Sequence, residues 1–214
     1  MNSKEKLIKT EKTARYYICK SGHTSEIEKI MFVIHGYAQL AKDFIKEFDF
    51  SDDENTVIVA PEGLSKFYFR NNIGASWMTK EDRQNEINDY VYFLEKVYEE
   101  VMSEFKSHDI KKYILGYSQG VHTAVRWFVQ SKNHFGKLIL CSSDFPKDAD
   151  FNLLKEKLNH SEMIYIHGNK DEAVTEEKFS ESRNLLLDNN IKFRELRFDG
   201  GHRVDAQSIL EAIE

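Results

Sequence analysis

One short stretch constrains this chain more than any other: Tyr113-Ile114-Leu115-Gly116-Tyr117-Ser118-Gln119-Gly120. An apolar run ends in Gly-x-Ser-x-Gly, and a helical pattern of apolar residues (Val121, Ala124, Val125, Phe128, Val129) begins at once. A strand that reverses sharply into a helix places the serine at the apex, in a strained backbone conformation. Glycines on either side have no Cβ, so strand and helix can approach closely there. The hydroxyl is then held above a sheet edge at a helix N-terminus, where partial positive charge favours a developing anion.

The rest of the chain alternates in the same manner. Strand-like runs fall at Arg15–Cys19, Ile30–Ile34, Thr56–Ala60, Lys112–Gly116, Lys137–Cys141, Glu162–His167 and Lys192–Phe198. The clearest helical period is Glu81–Phe105, where Ile87, Val91, Leu94, Val97, Val101 and Phe105 recur at three- and four-residue spacing. Thr79 and Asp82 supply a capping-box-like start for it. Shorter helices are expected at Leu40–Phe48, Gln119–Ser131, Glu176–Leu187 and Asp205–Ile213. Strands alternating with helices predict an α/β fold, a mostly parallel central sheet with helices on both faces. The first strand is expected to pair antiparallel at one edge. Glu62–Lys80 reads as a long irregular loop, dense in aromatics, and no other insertion is long enough for a separate lid domain. The 214 residues are read as one domain, 1–214.

Composition excludes several classes of function. The net charge of −6 comes with scattered lysines and no basic stripe, which argues against a nucleic-acid partner. No stretch approaches the roughly 20 apolar residues of a membrane span. The segment Met1–Lys12 is charged and has no signal-peptide core, so a cytoplasmic location is expected. Cys19 and Cys141 lie in apolar runs and read as buried thiols. No His-x-His, HExxH or Cys-x-x-Cys spacing occurs, so a metal site is not expected.

In an open parallel sheet, functional groups gather at the carboxyl ends of strands. Three other strand ends carry suggestive residues: His35-Gly36-Tyr37, His167-Gly168-Asn169-Lys170-Asp171, and Asp199-Gly200-Gly201-His202. Ser118 is a poor nucleophile alone and needs a base within hydrogen-bond reach. His202 is the candidate base and Asp171 the carboxylate that orients it, in the chain order Ser, Asp, His. The backbone N–H groups of Gln119 and Tyr37 are the candidate oxyanion hole. His35 and His167 each precede a glycine at a strand end and are expected to tie loop backbone together. His122, one helical turn past Ser118, is expected to point away from the hydroxyl. Phe67, Tyr68, Phe69 and Trp77 either line an acyl or aryl pocket or anchor their loop to the core. Phe69, Trp77 and Phe145 are taken as substrate-binding candidates, and Arg70 is expected to face water.

These residues resemble the phospholipase/carboxylesterase family of α/β-hydrolases, which includes the acyl-protein thioesterases. The matching residues are His35-Gly36, Gly116-Tyr117-Ser118-Gln119-Gly120, His167-Gly168-Asn169-Lys170-Asp171 with Val174, and Gly201-His202. Ala60-Pro61-Glu62-Gly63 and Gly74-Ala75-Ser76-Trp77 resemble the region before the long helix in bacterial members. Tyr37-Ala38-Gln39 departs from the further glycine and aspartate many members carry there. The resemblance implies a lidless, single-domain serine hydrolase acting on small carboxylic esters or thioesters without a cofactor. Short acyl chains fit the absence of a lid. A peptidase using the same machinery and a non-catalytic scaffold of this fold are the competing readings, and a homodimer through the 62–80 loop is possible.

Overall fold

The computed structural model describes residues 3–20, 27–48, 55–105 and 109–214; Met1 and Asn2 of the charged N-terminal segment lie outside them. Strand β1 (Tyr16–Lys20) lies antiparallel on β3 (Thr56–Pro61), and β3 lies parallel to β2 (Lys29–Ile34). On its other side β2 pairs in parallel with β6 (Lys111–Tyr117). Beyond it follow β7 (Lys137–Cys141), β8 (Glu162–Gly168) and β9 (Arg194–Phe198), all parallel. The strand order β1-β3-β2-β6-β7-β8-β9 puts the expected antiparallel strand at the edge.

Both faces of the sheet are covered, which is why β2 and β3 read as unbroken apolar runs. Alternate residues go to opposite sides. Ile30, Phe32 and Ile34 pack with helix α2 (Arg83–Glu104) and helix α3 (Gln119–Gln130). Met31 and Val33 pack with α1 (Ala41–Phe44), its 3-10 continuation Ile45–Phe48, and the C-terminal helix Ala206–Ile213. Between β2 and β6 the chain changes direction: β2 leads outward to β3, whereas β6 leads the other way to β7. Such a switch point leaves a crevice at the carboxyl ends of the two strands, and His35 and Ser118 stand there.

Four expectations need correction. Glu62–Lys80 is not irregular: β4 (Ser65–Phe69) and β5 (Asn72–Ser76) form a separate antiparallel hairpin. Its turn places Arg70 at φ 54°, where glycine or asparagine would have signalled the turn. Helix α4 (Phe151–Lys157) was not anticipated, although Asp150 caps it by accepting from the N–H groups of Asn152 and Leu153 at 3.0 Å. The cap of α2 also differs from a capping box. Asp82 sits at φ 37° and bonds the Asn85 side chain, while Glu86 reaches back to the Thr79 hydroxyl at 3.0 Å. Finally, Cys19 is exposed on the edge strand; only Cys141 is buried.

Candidate active site

Ser118 occupies the turn between β6 and α3 with φ 52° and ψ −123°, a left-handed conformation that costs a non-glycine residue about 1–3 kcal/mol. Two backbone bonds hold it there. Its N–H donates to the Cys141 carbonyl at 3.0 Å, and its carbonyl accepts from the Val121 N–H at 2.9 Å. A Cβ on Gly120 would lie 2.1 Å from the Ile34 carbonyl oxygen, so only glycine lets the first turn of α3 sit against β2.

The loops after β8 and β9 bring the other two groups to this serine. The Asn169 N–H donates to the Phe198 carbonyl at 2.9 Å and the Lys170 N–H to the Gly200 carbonyl at 2.8 Å, setting the register between the loops. His202 Nδ1 lies 2.8 Å from Asp171 Oδ2, and His202 Nε2 lies 3.0 Å from Ser118 Oγ. With Nδ1–H donating to the carboxylate, the neutral ring turns Nε2 as an acceptor toward the hydroxyl. The Asp171 side chain is fully buried. Its second oxygen accepts from the Ala173 and Val174 N–H groups, both at 2.9 Å, so the carboxyl group is fixed in orientation toward the histidine. Tyr117 supports the other end of the histidine: its ring lies 5.2 Å from the imidazole and its hydroxyl donates to the His202 carbonyl at 3.0 Å. Ser118, Asp171 and His202 are thus brought into one hydrogen-bonded chain.

The loop after β2 is built differently. His35 is buried, with Nδ1–H donating to the Gly36 carbonyl at 2.7 Å and Nε2 accepting from the Gly63 N–H at 2.9 Å. Both ring nitrogens are satisfied in the neutral form, and burial pushes the His35 pKa down to about 4. This is the loop-tying role expected of it. Trp77 Nε1 donates to the His35 carbonyl at 2.9 Å. The Gly36 N–H donates to the Gln39 side chain at 2.7 Å, the Ala38 N–H to Ala75 at 3.0 Å, and the Gln39 N–H back to Gly36 at 3.4 Å. Among the described residues, only the Tyr37 N–H of residues 36–39 has no acceptor. A Cβ on Gly36 would stand 3.1 Å from the Ser118 Cβ, which puts Tyr37 one residue from the nucleophile. The Gln119 N–H opens α3, where no intrahelical acceptor exists. The Gln119 side chain is clamped, donating to Ser76 Oγ at 3.0 Å and to the Met78 carbonyl at 3.2 Å.

The substrate-binding candidates separate. Trp77 and Phe145 are each only 1% exposed and belong to the core; the indole braces the His35 loop, and Phe145 packs on Phe151. They are not pocket residues. Phe69 is 41% exposed, beside Tyr37 and Phe67; Arg70 is exposed to water as expected, with its guanidinium 5.5 Å from the Phe69 ring centre. His122 pairs with Asp144 at 3.1 Å, and this bond holds the Asp144 carboxyl below its usual range. His167 departs from expectation. It is buried and stacks on Phe179 at 4.3 Å, and its Nδ1 has no hydrogen-bond partner among the described residues. Burial and the Arg197 charge lower its pKa.

Sequence reasoning missed Arg126, a buried cation on the apolar helix α3. It pairs with Asp148 at 2.8 Å, which Arg83 of α2 also reaches at 2.8 Å. This pins the loop between β7 and α4 beside the serine's helix. Despite partial desolvation, the two guanidiniums hold the Asp148 carboxyl far below its usual range. Among the described residues no group of three His, Cys, Asp or Glu side chains could hold a metal ion. No helix there is long and apolar enough to cross a membrane.

A parallel sheet carrying this elbow, with its serine in hydrogen-bond reach of a histidine, defines an α/β-hydrolase. The chain belongs to the Phospholipase/Carboxylesterase family, whose sequence profile matches residues 18–214, and it is a hydrolase. Solved structures agree on the fold. Maize (Zea mays) acyl-protein thioesterase 2 superposes with a TM-score of 0.67 at 15% identity, covering 94% of this chain and 96% of that one. Esterase PE8 gives 0.68 at 19% identity, covering 93% and 95%. The Bacillus cereus carboxylesterase gives 0.65 at 15% identity, covering 93% and 91%. No curated protein matches the sequence at a significant level.

Proposed function

We propose that the chain cleaves small carboxylic esters with short acyl groups through an acyl-enzyme on Ser118, with His202 as base and acid and Asp171 as its orienting carboxylate. The observation that carries this reading is the unbroken hydrogen-bond chain Asp171–His202–Ser118, at 2.8 and 3.0 Å. Ser118 Oγ attacks the ester carbonyl carbon while Nε2 takes its proton; Asp171 stabilises the resulting imidazolium. The carbonyl oxygen becomes an anion facing the Tyr37 and Gln119 N–H groups, donors already oriented by the loop and helix before reaction. Collapse of the tetrahedral intermediate breaks the C–O bond, and His202 returns the proton to the departing alcohol. Water, deprotonated by His202, then hydrolyses the acyl-serine.

The same machinery serves a thioester, whose thiolate leaves with less help from the acid, and matched ester and thioester substrates rank the two. The test of the reading is hydrolysis of p-nitrophenyl acetate and butyrate, with fluorophosphonate labelling. Both activity and labelling are expected in the native chain and absent in Ser118→Ala. Hydrolysis that survives Ser118→Ala overturns it.

A further inference from the structure

Four of the large apolar side chains left exposed, Tyr37, Tyr68, Phe69 and Ile73, lie on the Tyr37 loop and the β4–β5 hairpin. The register divides the hairpin into two faces. Tyr68 and Ile73 are cross-strand partners on one, and Phe67 and Phe69 point to the other. On that second face Phe67 stacks on the Tyr37 ring at 5.1 Å with a 27° tilt. Phe69 stands edge-on to both, at 6.2 Å from Tyr37 and 6.4 Å from Phe67.

These three rings are not needed to fasten the hairpin. The Ala38 N–H to Ala75 and Ala75 N–H to Gln39 bonds already do so, and the buried Trp77 anchors its end. Rings serving only as glue would be covered, yet Tyr37 is 54% and Phe69 41% exposed. Their position is also specific. Tyr37 carries the backbone N–H that faces the reacting carbonyl oxygen in the reading above, and the preceding residue, Gly36, lies against Ser118, so the Tyr37 ring starts from a Cα beside the reacting centre. Aromatic rings held by their own packing bind another planar ring by offset or edge contacts, beyond what the buried area contributes.

We propose that Tyr37, Phe67 and Phe69 form a subsite for a planar aromatic group carried by the ester, so that aryl-bearing substrates are preferred over saturated ones of equal size. The proposal rests on the Ser118 reading. Its test compares kcat/KM, each divided by the ester's own alkaline hydrolysis rate, within two pairs of similar size, the first sharing an acyl group and the second a leaving group. Benzyl acetate against cyclohexylmethyl acetate probes the alcohol side; methyl 3-phenylpropionate against methyl 3-cyclohexylpropionate probes the acyl side. The native chain is expected to prefer the aromatic member of one pair by about two- to tenfold. Phe67→Leu/Phe69→Leu should bring that ratio close to one, and Tyr68→Leu, on the opposite face, should leave it in place. Phe69→Leu alone, at the more exposed ring, should lower the ratio even where the double variant folds poorly by circular dichroism. Ratios near one in both pairs for the native chain, or a ratio unmoved by Phe69→Leu, overturn the subsite while leaving Ser118-dependent hydrolysis intact. Absence of Ser118-dependent turnover of all four esters overturns the Ser118 reading and the subsite with it.

Discussion

The two halves of the candidate site are built on opposite plans. On one side, Asp171 and His202 sit on short loops after β8 and β9, and the proposed chemistry lies in their side chains. The carboxylate is fixed by two N–H groups within three residues of itself, and the imidazole remains partly exposed. On the other side, the proposed working group is the Tyr37 backbone N–H, and beside the local bonds within residues 35–39 its loop is held by groups from far along the chain. Gly63 holds the His35 ring, Trp77 the His35 carbonyl, and Ala75 the Ala38 N–H. The first plan predicts that function is separable from stability; the second predicts that the two are joined.

The sharpest way to break that contrast is Asp171→Asn. The amide keeps the shape but donates where the carboxylate accepts, favouring the wrong histidine tautomer. Loss of kcat of about 10⁴-fold is expected. The denaturant midpoint should move little by comparison. A large stability loss with modest loss of rate would refute the separation drawn here.

On the Tyr37 side, acid should reveal the coupling. The His35 pKa is lowered to about 4 in the folded chain against 6.5 when unfolded, so the unfolded state binds more protons between these values. The stabilisation is fully present above pH 6.5 and is lost as pH falls toward 4, by on the order of 3 kcal/mol. Buried His167 shifts in the same direction and adds to the slope. Urea unfolding at pH 4.5 and 7 should show a smaller difference in His35→Asn than in the native chain. Equal slopes would remove His35 as the buried hub.

Trp77→Phe comes next. A smaller aromatic ring stays, but the His35 carbonyl loses its indole donor, a loss worth about 1–3 kcal/mol in a buried setting, to which the space left by the smaller ring adds. Because that carbonyl begins the turn that aims the Tyr37 N–H, kcat should also fall, by up to about 10²-fold, with KM nearly unchanged. A stability loss without a rate loss would separate the two roles and count against Tyr37 as an oxyanion donor.

The same contrast explains what was legible in the sequence. The elbow, the triad candidates and the parallel strands are announced by residue type: glycines around a serine, a carboxylate and a histidine past strand ends, unbroken apolar runs. The hairpin was hidden because its turn has Arg70 at positive φ and no glycine, and its strand Ser65–Phe69 alternates weakly. Trp77 and Phe145 read as pocket residues because an aromatic near a functional loop looks the same whether it lines or supports it. Only burial distinguishes the two. His167 looked like His35 because both precede a glycine at a strand end. Their difference depends on neighbours distant in sequence, a Gly63 N–H for one and the Phe179 ring for the other.

The smallest effect is expected farthest from this chemistry, at the helix that the sequence reading passed over. Asp150 caps α4 through two N–H groups, and Phe151, Leu154 and Leu158 carry its inward face at helical spacing. Asp150→Ala leaves those two donors to water at an exposed helix end, so the expected cost is about 1 kcal/mol. Hydrolysis rates should not change, because α4 meets the site only through the far end of α3, around Phe128 and Ser131, and through the loop that Asp148 pins to Arg126. Loss of rate in Asp150→Ala would mean that this loop transmits the state of α4 to Ser118. The Arg126–Asp148–Arg83 clasp would then belong with the Tyr37 loop, as scaffolding whose stability and function are joined.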